Sequence, residues 1–226
     1  MKISGAIFDM DGTLIDSLGY WDVLWETLGK KYLDKADFRP SPYTQKAVRT
    51  STMRETARTI HENEGIGESA DEIFVLADAL LLDFYQNTVE LKAGALELLE
   101  FLYKNGVKMC VASASAPHLL DAVIKKFDFK KFFPKIISCN DVGKGKDHPD
   151  VFIAAHKYLD TGKGETWIFE DSVVALQTAH DAGYNTVGVY DKYGFDTNRV
   201  RELSTFFIGA GESFISLKEK FEVRQE

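Results

Sequence analysis

Ile7-Phe8-Asp9-Met10-Asp11-Gly12-Thr13-Leu14 stands almost at the start of the chain, and the rest of the sequence reads outward from it. Ala6, Ile7 and Phe8 are apolar and strand-like, and two carboxylates two residues apart follow directly. A buried strand does not end in two acids unless something neutralises them, because an unpaired buried charge is very costly. A divalent metal does this, since hard cations such as Mg²⁺ take oxygen ligands and use one or two protein carboxylates. Gly12 permits a tight backbone path, and the amides beyond it can face an anion. One carboxylate can attack phosphorus while its neighbour moves a proton. The competing reading is a solvated Asp-Met-Asp-Gly turn with no chemistry.

With 226 residues the chain can bury a sizeable core, as one domain with an insertion or as two modest domains. Apolar residues make up 45% and charged residues 27%, which argues for a globular chain and against disorder. A net charge of −8 gives no electrostatic support to a nucleic-acid or anionic-membrane partner. A small anionic substrate stays compatible, because a local site can be positive inside an acidic protein. Cys110 and Cys139 lack metal-ligand spacing, and Cys110 lies in an apolar run that suits a buried reduced thiol. No secretory signal is read before Asp9 and no apolar run reaches transmembrane length, so the expected location is cytoplasmic.

Residues 1–8 read as a short buried strand. From Leu18 a helical stripe follows through Trp21, Leu24, Trp25, Leu28 and Tyr32, and Pro40 and Pro42 interrupt it. Thr52 and Glu55 have capping-box spacing ahead of Met53, Ala57 and Ile60, and Ser69 and Glu72 repeat it ahead of Ile73, Leu76, Ala77, Leu80, Leu81 and Phe84. Residues 18–91 are therefore expected as a helical insertion after the first strand. Beyond it, short apolar strands at 107–112, 134–138, 167–169, 186–189 and 206–208 alternate with helices at 96–104, 117–127, 152–159 and 173–182. That alternation predicts right-handed βαβ units in an α/β fold, a Rossmann-like three-layer parallel sheet with helices on both faces. The expected domains are 1–17 plus 92–226 for the core and 18–91 for an all-helical cap; 223–226 read as a polar tail.

In an open parallel sheet, ligands bind beyond the carboxyl ends of the strands. The first strand ends in Asp9 and Asp11, the second in Ser113-Ala114-Ser115, and the fourth in Glu170-Asp171-Ser172. After the third come Asp141, Lys144 and Lys146, leading to Pro149-Asp150. A hydroxyl with helix amides can hold phosphate oxygens, and a lysine supplies a point charge for them. The second acid pair can complete a metal site. Each element alone has a plain alternative: the serines and the Glu-Asp pair can cap the helices that follow, and the lysines can be solvated. Their agreement in order along one edge favours a site.

On these residues the chain resembles the haloacid dehalogenase superfamily, within it the β-phosphoglucomutase-like phosphatases, whose helical cap follows the first motif. Asp9 to Leu14, with Asp16 and Ser17 after them, is similar to the first signature, and Val111-Ala112-Ser113-Ala114-Ser115 to the second. Lys146-Asp147-His148-Pro149-Asp150-Val151-Phe152 is similar to the third, with Asp147 where proline is common, and Phe169-Glu170-Asp171-Ser172 to the fourth. Two further departures are Val173-Val174 where glycine often follows the acids, and Ala93-Gly94 where Pro-Gly is usual. The resemblance implies that Asp9 is the nucleophile and a Mg²⁺ ligand, and Asp11 the general acid/base with its backbone carbonyl on the metal. It implies that Gly12, Ser113, the Ala114 amide and Lys146 serve the phosphoryl group, and that Asp171 completes the metal shell with Glu170 as a ligand or its neighbour.

The expected function is a Mg²⁺-dependent phosphomonoesterase that hydrolyses a small phosphorylated metabolite through an aspartyl-phosphate. A sugar-phosphate mutase of the β-phosphoglucomutase type shares that intermediate and differs in the acceptor. From another class, a non-catalytic phosphate-binding or phospho-accepting module also uses strand-end Asp, Ser and Lys. The dehalogenases of the superfamily lack the second acid that Asp11 supplies here. Arg49, Arg54, Tyr20, Trp21 and His118 are candidates for substrate contact, with Arg54 and Tyr20 foremost. No nucleic acid or membrane partner is expected, and the sequence sets no oligomeric state.

Overall fold

In the computed structural model residues 1–48 and 51–223 are described; Arg49 and the tail 224–226 lie outside them. The chain divides into two compact units, Met1–Leu18 with Val89–Glu226 and Gly19–Thr88. The return point falls before residue 92, where the sequence placed it, because residues 89–91 are tied to the first unit. Asp16 N–H donates to the Glu90 carbonyl at 2.9 Å, Lys92 N–H to the Leu14 carbonyl at 2.9 Å, and Ile15 bridges Leu91.

The helical unit holds α1 (Tyr20–Leu33), α2 (Pro42–Val48), α3 (Met53–Glu64) and α4 (Ala70–Asp83), closed by a π-turn at Phe84–Thr88. Helix α2 corrects the reading of the two prolines as an interruption. Pro42 opens it, and its fixed φ and missing N–H suit a first helical turn. The capping box at Thr52 and Glu55 is complete: Glu55 N–H donates to Thr52 Oγ1 at 3.3 Å and Thr52 N–H to Glu55 Oε2 at 2.9 Å. The one at Ser69 is half made. Glu72 N–H donates to Ser69 Oγ at 3.2 Å, but the Glu72 carboxylate accepts from the Tyr32 hydroxyl at 2.6 Å and from Glu68 N–H at 2.9 Å.

The other unit runs β1 (Gly5–Phe8), α5 (Ala95–Lys104), β2 (Lys108–Ser113), α6 (Pro117–Lys126), β3 (Ile136–Ser138), α7 (Cys139–Val142), α8 (Asp150–Leu159), β4 (Thr166–Glu170), α9 (Val173–Asp181), β5 (Asn185–Val189), α10 (Thr197–Glu202) and β6 (Phe206–Ile208). Its six strands form one parallel sheet in the order β3-β2-β1-β4-β5-β6. β1 starts at Gly5 and not at Met1; Lys2 instead bridges Glu222 outside the sheet. Successive strand residues face opposite sides. Ile7, Cys110 and Ile168 pack with Val151, Phe152, Ala155, Ala175 and Ala179 of α8 and α9. Phe8 faces the other way, edge-on to Phe133 at 5.7 Å and stacked on Phe169 at 4.2 Å. Each fully buried side chain of this kind contributes about 1.5–3 kcal/mol, so both faces of β1 are fixed and its carboxyl end is a rigid base for Asp9. Among the described residues, no helix is long and apolar enough to cross a membrane.

Candidate active site

Asp9 leaves β1 with its N–H donated to the Phe169 carbonyl of β4 at 3.0 Å, so the two strand ends hold their acids side by side. The chain then turns tightly: the Met10 carbonyl accepts from Leu14 N–H at 3.0 Å and from Ile15 N–H at 3.1 Å. Gly12 sits in this turn at φ +76, and a Cβ there would lie 2.5 Å from Asp171 Oδ2. Its own N–H donates to the Ile15 carbonyl at 3.0 Å. The assignment of Gly12 to phosphate binding is therefore corrected: it lets the turn pass against Asp171, and its amide is already engaged.

Lys146 lies between α7 and α8 and points its ammonium into the acids. It donates to Asp9 Oδ1 at 2.5 Å and to Glu170 Oε1. Lys144, two residues earlier, is about half exposed and lies 3.6 Å from Asp150. Ser172 N–H donates to Glu170 Oε2 at 2.9 Å, and the Thr13 hydroxyl to Asp171 Oδ1 at 3.0 Å. Carboxylate oxygens of Asp9, Glu170 and Asp171 lie within 4.8 Å of one another. Asp9 Oδ2 and Asp171 Oδ2 accept no hydrogen bond from the described residues.

Burial pushes Asp9 up to about 8; the Lys146 charge works against the rise, and Glu170 and Asp11 add to it. Asp171 is raised by burial and by the Glu170, Asp9 and Asp191 charges. Burial opposes the charge on Lys146, but Asp9 and Glu170 more than offset it and hold the ammonium above its ordinary range. Three crowded, buried acids with two open oxygens fit a hard divalent cation, which relieves both the repulsion and the desolvation. The carboxylate of Asp11 is not in that cluster.

Asp11 is held by two hydroxyls instead. Ser17 Oγ donates to its Oδ1 and Ser115 Oγ to its Oδ2, each at 2.7 Å. Sequence reasoning quoted both serines within motifs and gave neither this task. Neither contact carries a local signal, for Ser17 is six residues away and Ser115 is 104. Ser113 ends β2, and its Oγ accepts from Ser115 N–H at 3.1 Å, which leaves the hydroxyl proton to give. Ala114 is exposed at the same strand end.

The remaining expected residues belong to the helical unit, except His118, which is exposed on α6. Tyr20 is a packing residue: it is buried, and its hydroxyl donates to the Ala77 carbonyl at 2.6 Å. That corrects its place among substrate contacts. Arg54 is exposed on α3, 3.4 Å from Asp71, with its guanidinium over the Phe74 ring at 4.1 Å. Trp21 stacks on Trp25 at 5.5 Å.

Residues 6–189 match the family of haloacid dehalogenase-like hydrolases, which is most of the chain and includes every residue of this acid cluster. The chain belongs to that family. Among curated relatives, the hydrolase is 28% identical over 200 residues to (DL)-glycerol-3-phosphatase 1 of Arabidopsis thaliana, spanning 84% of this chain but 65% of the relative. It is 28% identical to the validoxylamine A 7'-phosphate phosphatase of Streptomyces hygroscopicus, spanning 81% of this chain and 84% of the relative. Its fold matches a candidate beta-phosphoglucomutase from Thermotoga maritima with a TM-score of 0.78, at 21% identity, covering 97% of this chain and 99% of that one. The hydrolase thus shares its fold with β-phosphoglucomutase-like members of the family, and its named relatives are phosphatases.

Proposed function

We propose that this hydrolase is a Mg²⁺-dependent phosphomonoesterase working through an aspartyl-phosphate on Asp9, with a small phosphorylated metabolite as substrate. The observation that carries the reading is the grouping at the carboxyl ends of β1 and β4: Asp9, Glu170 and Asp171 around Lys146, with Asp11 held apart by Ser17 and Ser115. Two neighbouring carboxylates in different surroundings take different tasks. Asp9, against the Lys146 ammonium, is the anion that attacks phosphorus. Asp11, fixed by two hydroxyls and outside the cluster, gives a proton to the leaving oxygen and later takes one from water.

Asp9, Asp171 and Glu170 would hold the cation, which supplies positive charge to the transferring phosphoryl oxygens. Lys146 adds a second positive charge, and the Ser113 hydroxyl with the Ala114 amide supplies donors at the end of β2. The helical unit is inserted immediately after the catalytic turn, so it can vary substrate choice without disturbing the strand ends. We assign it as a cap, and Arg54, the exposed cation on α3, as its candidate for a second anionic group on the substrate. Release of inorganic phosphate from a panel of sugar phosphates, glycerol phosphate and nucleotides, with and without chelator, tests the reading. Hydrolysis of at least one small phosphate should stop in chelator and return with Mg²⁺; full activity in excess chelator contradicts the metal assignment.

A further inference from the structure

A buried ion pair stands beside the acid cluster and takes no part in the chemistry above. Lys92 Nζ lies 2.5 Å from Asp191 Oδ2, with the Asp191 side chain fully buried and Lys92 15% exposed. Lys92 also donates to the Tyr190 carbonyl at 3.3 Å and lies 3.9 Å from Asp16, while Asp191 Oδ1 accepts from Tyr193 N–H at 2.8 Å. Both side chains are therefore fixed from several directions.

Asp191 follows β5 by two residues and Asp171 follows β4 by one; the strands are neighbours, with Glu170 opposite Gly188. A fourth carboxylate thus arrives at the same sheet edge, next to the acid that the cation would share with Asp9. Its negative charge is felt at Asp171, where it adds to the proton affinity already raised by burial, Glu170 and Asp9. Buried charges act over such distances because little solvent screens them.

We infer that Lys92 and Asp191 are a positioning pair for the metal site, keeping a fourth buried carboxylate neutralised beside Asp171 and so setting how tightly the cluster holds a divalent cation. The inference rests on the metal reading above. It makes a prediction of sign. Asp191→Asn leaves the Lys92 charge unopposed near the cluster and weakens Mg²⁺ binding. Lys92→Met leaves the Asp191 charge unopposed and tightens it. The double variant, near-isosteric and neutral, returns to the wild-type value.

Calorimetric titration of the whole, metal-free protein with Mg²⁺ reads these changes directly, and thermal unfolding of each variant reports folding. A unit charge at this range should move the dissociation constant on the order of tenfold in each direction, with the double variant within about threefold of wild type. A pair that merely supported the fold would weaken binding in both single variants and more in the double. If Lys92→Met does not fold, the comparison of Asp191→Asn with the double variant still decides, since only a charge effect is rescued. Wild-type protein that binds Mg²⁺ while the variants shift together overturns this inference alone. Wild-type protein that binds no Mg²⁺ overturns the metal reading with it.

Discussion

Replacing Lys146 by alanine removes the one charge that touches two acids of the cluster. Its ammonium reaches Asp9 Oδ1 at 2.5 Å and also Glu170, and the three side chains are 11%, 9% and 1% exposed. Truncating one partner of a buried pair costs about 3–5 kcal/mol, because a charge is left uncompensated. Asp9 limits that cost: held up to about 8 by burial even with Lys146 present, it takes up a proton readily once the lysine is gone. The stability loss in metal-free protein at pH 7 should therefore fall at the low end, about 3 kcal/mol. The loss in catalysis has a different origin. A protonated Asp9 is no nucleophile, and the phosphoryl oxygens lose one positive partner, which together cost on the order of 10²-fold or more in kcat/KM. Lys144→Ala is the control, for that side chain is half exposed and faces Asp150; exposed pairs contribute about 0–1 kcal/mol. Steady-state hydrolysis of an aryl phosphate at saturating Mg²⁺, beside denaturant unfolding of metal-free protein, measures both. A Lys146 variant within threefold of wild type, or a Lys144 variant that loses more, refutes the reasoning.

Other outcomes follow from the same geometry. Because the folded-state affinity of Asp9 for its proton is raised from 3.8 to about 8, its contribution to stability is present at low pH and is lost as pH rises through 8; metal-free wild type should lose Tm between pH 5 and 8 more steeply than Asp9→Asn, and equal slopes would contradict the assignment. Gly12→Ala would place a Cβ 2.5 Å from Asp171 Oδ2 at φ +76, costing about 1–2 kcal/mol in backbone strain alone and weakening Mg²⁺ binding by calorimetry; unchanged affinity would show that Asp171 is not a ligand. Ser17→Ala and Ser115→Ala each remove a hydrogen bond to a charged Asp11, worth roughly 1.5–3 kcal/mol. Both should lower kcat at least about tenfold on alkyl phosphates and far less on aryl phosphates with acidic leaving groups, which need little proton donation; equal losses on the two substrates would contradict the role of Asp11.

The parts legible in the sequence were those with a period or a terminus. Apolar strands ending in Asp9, Ser113 and Glu170-Asp171 declared themselves because a buried parallel strand changes character abruptly at its carboxyl end. Pro42 was read as a break because proline punctuates loops and opens helices with equal ease. Gly12 was correctly read as conformationally necessary, but its nearest neighbour, Asp171, is supplied by a strand some 160 residues later in the sequence. The partners of Asp11 and of Asp191 were invisible for the same reason: Ser115 and Lys92 each look like ordinary surface residues until the parallel crossovers bring them to one edge. Tyr20 shows the converse, for an aromatic on a helical stripe is as much a core residue as a contact, and here its hydroxyl is satisfied inside the helical unit.

The division of labour between Asp9 and Asp11 is the centre of the account, and intact-protein mass measurement after mixing with an aryl phosphate tests it most directly. Asp11→Asn retains the nucleophile but lacks the base for water, so it should accumulate an adduct of one phosphoryl group and show a burst near one equivalent of phenol. Asp9→Asn should show neither. A phosphoryl adduct on the Asp9 variant, or steady hydrolysis without a burst by the Asp11 variant, would contradict it.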